Sequence, residues 1–365
     1  MDRDSIVGII STNYASEKLG ELTSDRTIAS LPYGGRYRLI DFPLSNMINA
    51  GITTVGVITP FKYRSLIDHI GSGKAWSLDR KNGGLQVLPG SVFGVSNMNS
   101  RFMLRDLDRN KVFLTRSPAP YVLITATNIV SKLDYVKMFD EHLKSGADIT
   151  MAYCAATEDD PDLNSINLVN GRVMSVSRST KVGQPAFQDC FIISRDLLLN
   201  IMDWYSAINY MDLFEILQGD YDKMDVRGYE YCGYTGSIFT TEAYFRKSMD
   251  LMRSDVREAL FSADAPVLTK LHDTMPTKYF ADAEVSGSLI PSGCMIYGAV
   301  KDCILFRNVT IAPGARVVNS IIMQGCRIEE GAVIENAIIE KNTVISADTV
   351  LKSSAKAPII IAKED

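Results

Sequence analysis

The stretch IAPGARVVNSIIMQGCRIEEGAVIENAIIEKNTVISADTVL, residues 311–351, repeats its own pattern. Ile311, Val317 and Ile322 are followed 17 positions later by Ile328, Ile334 and Ile339, and then by Ile345 and Leu351. Stepping back by the same 17 gives Cys294, Val300 and Leu305. Two residues before the later members stand Ala315, Ser320, Cys326, Ala332, Ala337, Thr343 and Thr349, nearly all small. Spacings of six, five and six describe a triangular coil of three short strands. The aliphatic side chain points inward and the small one turns the corner. The pattern predicts a hexapeptide β-helix with Val317, Ile334 and Leu351 on one inward face.

Upstream the character changes. Ser5–Ser11, Thr54–Thr59, Tyr121–Thr125 and Asp148–Cys154 are apolar, β-prone runs. Leu44–Ala50, Tyr63–Ile70 and Ser131–Ser145 have the apolar spacing of helices. Phe191–Ser194, Leu197–Tyr205 and Thr240–Arg253 continue the mixture. This alternation predicts a Rossmann-like α/β domain, with a mainly parallel sheet covered by helices on both faces. The expected division is 1–253 for that domain, 254–284 for a linker carrying Pro266 and Pro276, and 285–365 for the β-helix.

Composition narrows the function. The chain has 365 residues, 46% apolar and 22% charged, with a net charge of −5. That acidity predicts neither nucleic acid nor an acidic membrane as partner. No apolar run reaches the length of a membrane helix, and Met-Asp-Arg-Asp begins no signal pattern, so a cytoplasmic protein is expected. The six cysteines form no Cys-x-x-Cys pair and are expected to be reduced. A β-helix alone suggests acyl transfer, which commonly uses a histidine base. His69, His142 and His272 all lie outside the repeats, which disfavours it. An assembly surface is the better expectation for these coils.

Two segments bear on chemistry. The strand Tyr121–Thr125 ends in Ala126-Thr127-Asn128, and the carboxyl end of a central strand is where α/β sheets bind ligands and metals. A phosphate-handling site needs a carboxylate there, and this chain offers Thr127 and Asn128. The second segment is LPYGGRYRLIDFPLSN, Leu31–Asn46. Gly34 and Gly35 beside basic and aromatic residues suit either a backbone approach to a phosphate or sugar, or a tight turn before a packed helix.

This second string resembles the PFGGKYRIIDFxLSN segment of the glucose-1-phosphate adenylyltransferases (ADP-glucose pyrophosphorylases). The likeness continues through NAGITTVGVIT (Asn49–Thr59), SKLDY (Ser131–Tyr135), TEAYF (Thr241–Phe245) and the repeats. The resemblance implies a nucleotidyltransferase domain followed by a left-handed β-helix. It also implies tetrameric assembly, in some members from two kinds of subunit. The implied reaction is attack of a sugar phosphate on the α-phosphate of ATP. That chemistry uses a glycine-rich loop, basic side chains and carboxylates holding Mg²⁺.

Compared with the family's motifs, five parts of the site are altered. The loop Ala-Gly-Gly-x-Gly-x-Arg-Leu matches Thr12-Asn13-Tyr14-Ala15-Ser16-Glu17-Lys18-Leu19, which contains no glycine. Tyr14 sets a ring where backbone would touch phosphate, and Lys18 keeps a charge without the arginine fork. The family's Lys-Pro falls on Ile28-Ala29. Leu-Ala-Gly-Asp-His falls on Thr125–Ile129, putting Asn128 in place of a metal-binding aspartate, and Ser237 takes the second metal position, with Phe239 for a glycine. Glu-Lys-Pro, which grips the sugar phosphate, falls on Arg178-Ser179-Thr180, and Gly-Thr-Ala-Asp has no counterpart in Ser96–Ser117. The expectation is therefore a non-catalytic, regulatory-type subunit without Mg²⁺ of its own, in a homo- or hetero-tetramer with a catalytic paralogue. The alternatives are a weakly active enzyme and a stand-alone sensor of nucleotide or sugar phosphate. Arg26, Arg36, Arg38, Lys62 and Arg64 suit a phosphorylated effector or plain solvated surface equally well.

Overall fold

The computed structural model describes residues 5–59, 62–91 and 100–362. The part of Ser96–Ser117 before residue 100 lies outside them. The α/β domain is built on one nine-stranded sheet. Its strands are β1 (Ile6–Ser11), β2 (Thr54–Thr59), β3 (Gly84–Pro89), β4 (Tyr121–Thr125), β5 (Ile149–Ala155), β6 (Ser165–Val169), β7 (Arg172–Ser177), β8 (Pro185–Ser194) and β9 (Val226–Glu230). Their order is β3-β2-β1-β4-β8-β5-β9-β7-β6. Seven of the nine strands run one way, and β7 and β8 run against them. Strand direction is thus mainly parallel, as expected, with β8 inserted antiparallel between β4 and β5. A further pairing of Ala186 with Ser165 curls β8 back onto β6.

Both faces of the sheet are covered. Along β1, Val7 and Ile9 enter one core while Ile6 and Ile10 enter the other, as the period of two requires. One core takes Leu198, Ile201 and Met202 of helix α3 (Arg195–Trp204). The other takes Leu44 and Met47 of α1 (Asp41–Asn49) and Met138 and Phe139 of α2 (Tyr135–Ser145). Asp134 caps α2 by accepting from the N–H groups of Val136 and Lys137, and Gly146 ends it in the left-handed region. After α4 (Thr241–Met249), the helix Ser254–Leu260 buries Val256 and Leu260 in the first of these cores, so this part of the expected linker belongs physically to the α/β packing.

The repeats form three stacks of parallel strands. Val300, Val317, Ile334 and Leu351 pair in succession, as the period predicts. One register position is corrected. Ile296, not Cys294, lies opposite Ile311. The coil is two residues shorter there because Gly298 turns so close to the Ala315 carbonyl that a Cβ would sit 2.3 Å from it. Cys294 takes the corner position instead, its Sγ donating to the Phe306 carbonyl at 3.2 Å, as Cys326 donates to that of Glu340 at 2.8 Å.

The third stack serves a second purpose. Leu305, Ile322 and Ile339 point into the coil, while their neighbours Ile304, Ile321 and Ile338 point out and are fully buried against the α/β core. Paired aliphatics therefore mark the docking face, since one side chain of each pair must face away from the coil. The Gly34-Gly35 turn also docks here. It joins Pro32–Tyr33 to Tyr37–Arg38, and a Cβ on Gly35 would meet the Leu305 carbonyl at 2.9 Å. Gly35 lets the turn approach the β-helix, while Gly34 makes room for Leu251 of the α/β domain.

Candidate functional site

The strands bring the altered motifs together at the carboxyl end of β4. Tyr14 follows β1, and its ring folds inward, leaving the residue 7% exposed. Its hydroxyl lies 2.7 Å from the Thr127 hydroxyl and accepts from the Thr127 backbone N–H at 3.0 Å. Burial pushes the phenol up to about 12, outweighing those bonds, so it stays neutral over the physiological range. A phenol thus occupies the backbone donor at the tip of the central strand. Asn13 turns the other way, donating to the Asp106 carboxylate at 2.6 Å and to the Ser91 carbonyl at 3.2 Å.

A buried cation lies behind the phenol. The Arg101 guanidinium sits 5.2 Å from the Tyr14 ring centre and 4.6 Å from that of Phe239, an arrangement favourable to cation–π attraction on both rings. Its Nε is 3.6 Å from Asp189. Asp189 holds φ at 45° in the bulged region of β8 and accepts from the Asn128 amide at 2.9 Å. Burial raises the Asp189 carboxyl above the usual range, with Arg101 and Asn128 opposing it. Asn128 is fully buried, and its Oδ1 has no hydrogen-bond partner.

The remaining positions are also engaged. Lys18 pairs with Asp162 at 2.6 Å. The Ser16 carbonyl accepts from Leu19 N–H at 3.0 Å, starting a 3₁₀ turn in place of a phosphate cradle. Ile28 is a core side chain packed with its neighbour Leu31. Ser237 donates to Asp160 at 2.7 Å from a two-strand ribbon formed with Ile129–Ser131. Arg178 reaches out to Glu215 and is largely exposed, and Ser179, at φ 69°, offers its carbonyl to Ser165. Arg178 and Ser179 therefore do not join Tyr14 and Asn128. The recess among Ile129, Glu158, Asp160, Ser237 and Lys247 measures about 20 Å³. A small-molecule site needs roughly 300 Å³ or more.

The nucleotidyl transferase family matches residues 15–164, and the GlmU-like C-terminal hexapeptide family matches 275–356. Glycogen biosynthesis protein GlgD of Bacillus subtilis is 30% identical over 87% of this chain and 84% of its own. GlgD of Geobacillus stearothermophilus is 33% identical over 86% and 83%. The chain belongs to the ADP-glucose pyrophosphorylase family. Glucose-1-phosphate adenylyltransferase of Clostridium perfringens (strain SM101) is 28% identical over 90% of this chain and 87% of its own.

Of the residues gathered at this site, Arg101 and Asp189 escaped sequence reasoning. Neither stands in a quoted motif. A clue existed in Arg101 and Asp189 as charges inside otherwise buried runs. The five suggested basic residues also separate. Arg26 is buried against Glu340, Arg38 donates to the Ser65 carbonyl at 2.7 Å, and Lys62 donates to the Thr23 carbonyl at 2.8 Å. Arg36 lines a cleft of about 650 Å³ with His69, Lys74 and Lys270.

The ring's role is measurable. Tyr14→Ala should cost about 3–4 kcal/mol, because it leaves a cavity and frees the buried Thr127 donor. Tyr14→Phe should cost about 1–2 kcal/mol, losing only the hydroxyl's bonds. Urea unfolding of the two variants separates these terms, and equal losses would refute the assignment.

Proposed function

We propose that this chain is a non-catalytic regulatory subunit of a bacterial ADP-glucose pyrophosphorylase. It pairs with the catalytic paralogue in a cytoplasmic heterotetramer that makes ADP-glucose for glycogen biosynthesis. The paralogue supplies Mg²⁺ and turnover, and this subunit tunes them. The observation that carries the reading is the phenol of Tyr14 on the Thr127 N–H. A ring there takes the space in which the family's glycine loop meets phosphate, and Asn128 and Ser237 bring no carboxylate to hold a cation. The nearby Asp189 is engaged by Asn128 and Arg101. In the same reading the coils wind left-handed, and phosphorylated effectors bind the basic cleft at Arg36, Lys74 and Lys270.

The purified chain is expected to transfer no adenylyl group from ATP to glucose 1-phosphate above background. Mixed with the catalytic paralogue, it should form a larger species with altered turnover. Turnover by the chain alone within tenfold of an active family enzyme would overturn the reading in favour of a slow enzyme. No change in the paralogue's mass or activity would favour a stand-alone sensor.

A further inference from the structure

A cleft of about 630 Å³ opens where the end of β9 meets the start of α2. It shares no lining residue with the altered site or with the basic cleft at Arg36. Its size falls within the roughly 300–1,000 Å³ of small-molecule sites. One wall is aromatic. Tyr229 and Tyr231 are two apart, so their rings share a face, and both pack on the α/β core while staying partly exposed. That wall is held firmly. The Tyr231 N–H extends the strand pairing by donating to the Tyr153 carbonyl at 2.7 Å, and its hydroxyl accepts from the Lys132 N–H at 3.3 Å. A Cβ on Gly233 would collide with that hydroxyl, so the ring lies there only because residue 233 is glycine. The rest of the lining is polar. Lys132 pairs with Asp264 at 3.4 Å and Lys137 with Asp134 at 3.5 Å. Glu230 is exposed and has no ion pair or hydrogen-bonded side-chain partner among the described residues. Asn49, exposed at the end of α1, donates to the Pro266 carbonyl at 3.2 Å, which leaves its amide oxygen to accept.

We propose that this cleft is a saccharide site, and that its ligand is an uncharged glucan chain. Charge decides against the other ligands. Both lysines already face a carboxylate, and the unmatched Glu230 repels a phosphate. The two ammoniums in turn repel a cationic ligand. A ligand rich in hydroxyls and without charge meets neither penalty. The apolar C–H face of a pyranose lies on a tyrosine ring, while its hydroxyls donate to carboxylate and amide oxygens such as those of Glu230 and Asn49. The strand repeat sets Tyr229 and Tyr231 about 6–7 Å apart, which offers platforms to successive sugars of a chain. Only the choice of an α-glucan rests on the proposed place in glycogen biosynthesis. The site itself involves no contact with a paralogue, so testing the chain alone keeps its failure distinct from failure of the subunit reading.

Native electrophoresis of the full chain through gels containing glycogen tests the proposal. Glycogen should retard the wild type, and added maltoheptaose should relieve the retardation. Tyr229→Ala should weaken maltoheptaose binding about tenfold, through loss of the stacking face. Glu230→Gln, a change at an exposed position, should weaken it roughly threefold to tenfold and keeps the test valid should the tyrosine variant fail to fold. Cys232 lines the cleft and is the one exposed cysteine, so it gives a readout that needs no variant. Maltoheptaose should slow its alkylation by iodoacetamide. Absence of retardation by glycogen, or an alkylation rate unchanged under maltoheptaose, would overturn the proposal. Equal protection of Cys232 by glucose 1-phosphate and by maltoheptaose would also overturn it, by showing that the cleft accepts a charged ligand.

Discussion

Asn128→Asp is expected to lower the melting temperature of the α/β domain by roughly 6–15 °C at neutral pH, from about 3–5 kcal/mol of lost stability. The substituted carboxylate would face Asp189 across the present 2.9 Å amide bond, in a fully buried position. Two carboxylates at that separation cannot both ionise without a cation between them, and Arg101 at 3.6 Å already serves one. The pH dependence has a definite sign. Asp189 is raised above its unfolded value, so its favourable contribution is complete below the unfolded pKa and is lost as pH rises through the folded one. In the variant the two carboxyls share this behaviour, and the deficit should shrink on acidification. Adding Ser237→Asp turns a 2.7 Å hydrogen bond to Asp160 into a second repulsion. The double variant should remain inactive, since Tyr14 still covers the Thr127 N–H. Mg²⁺ should leave its melting temperature unchanged. A Mg²⁺-dependent rise with adenylyl transfer would show that restored charge alone rebuilds the site.

Arg26→Met should lower stability by about 3–5 kcal/mol, the usual cost of leaving one member of a buried ion pair uncompensated. Arg26 is 3% and Glu340 5% exposed, and they join the segment after the first strand to the β-helix across 314 residues of chain. Glu340 has one carboxylate oxygen without a hydrogen-bond partner even in the intact pair, so losing the guanidinium leaves it worse placed. Glu340→Leu alone should cost a similar amount. The combined Arg26→Met/Glu340→Leu variant should recover most of the loss, because well-packed apolar side chains often replace a buried pair at little cost. Urea midpoints for the four proteins provide the cycle. Additive losses in the double variant would show that the two side chains act separately. By contrast, the Lys341–Asp25 pair beside it is exposed and should contribute under about 1 kcal/mol.

The period of 17 determined the stacked coils from sequence alone, because an inward position recurs only where a coil closes on itself. The resemblance to the family's motifs, also read from sequence, marked Tyr14, Asn128 and Ser237 as departures from the residues that chemistry uses. Other features depended on distant neighbours. The exchange of Cys294 for Ile296 came from a shortened corner, which depends on how closely Gly298 passes Ala315. The reversal of β8 came from sheet pairing, to which a buried apolar run is indifferent. Gly34 and Gly35 suited a ligand or a turn equally until Leu251 was placed against the first and Leu305 against the second. The Tyr14–Arg101–Phe239 stack and the Asn128–Asp189 bond bring together residues from five separated segments. A local pattern records which face a residue prefers to bury, but a buried charge finds its partner only once the strands that carry both have been ordered in space.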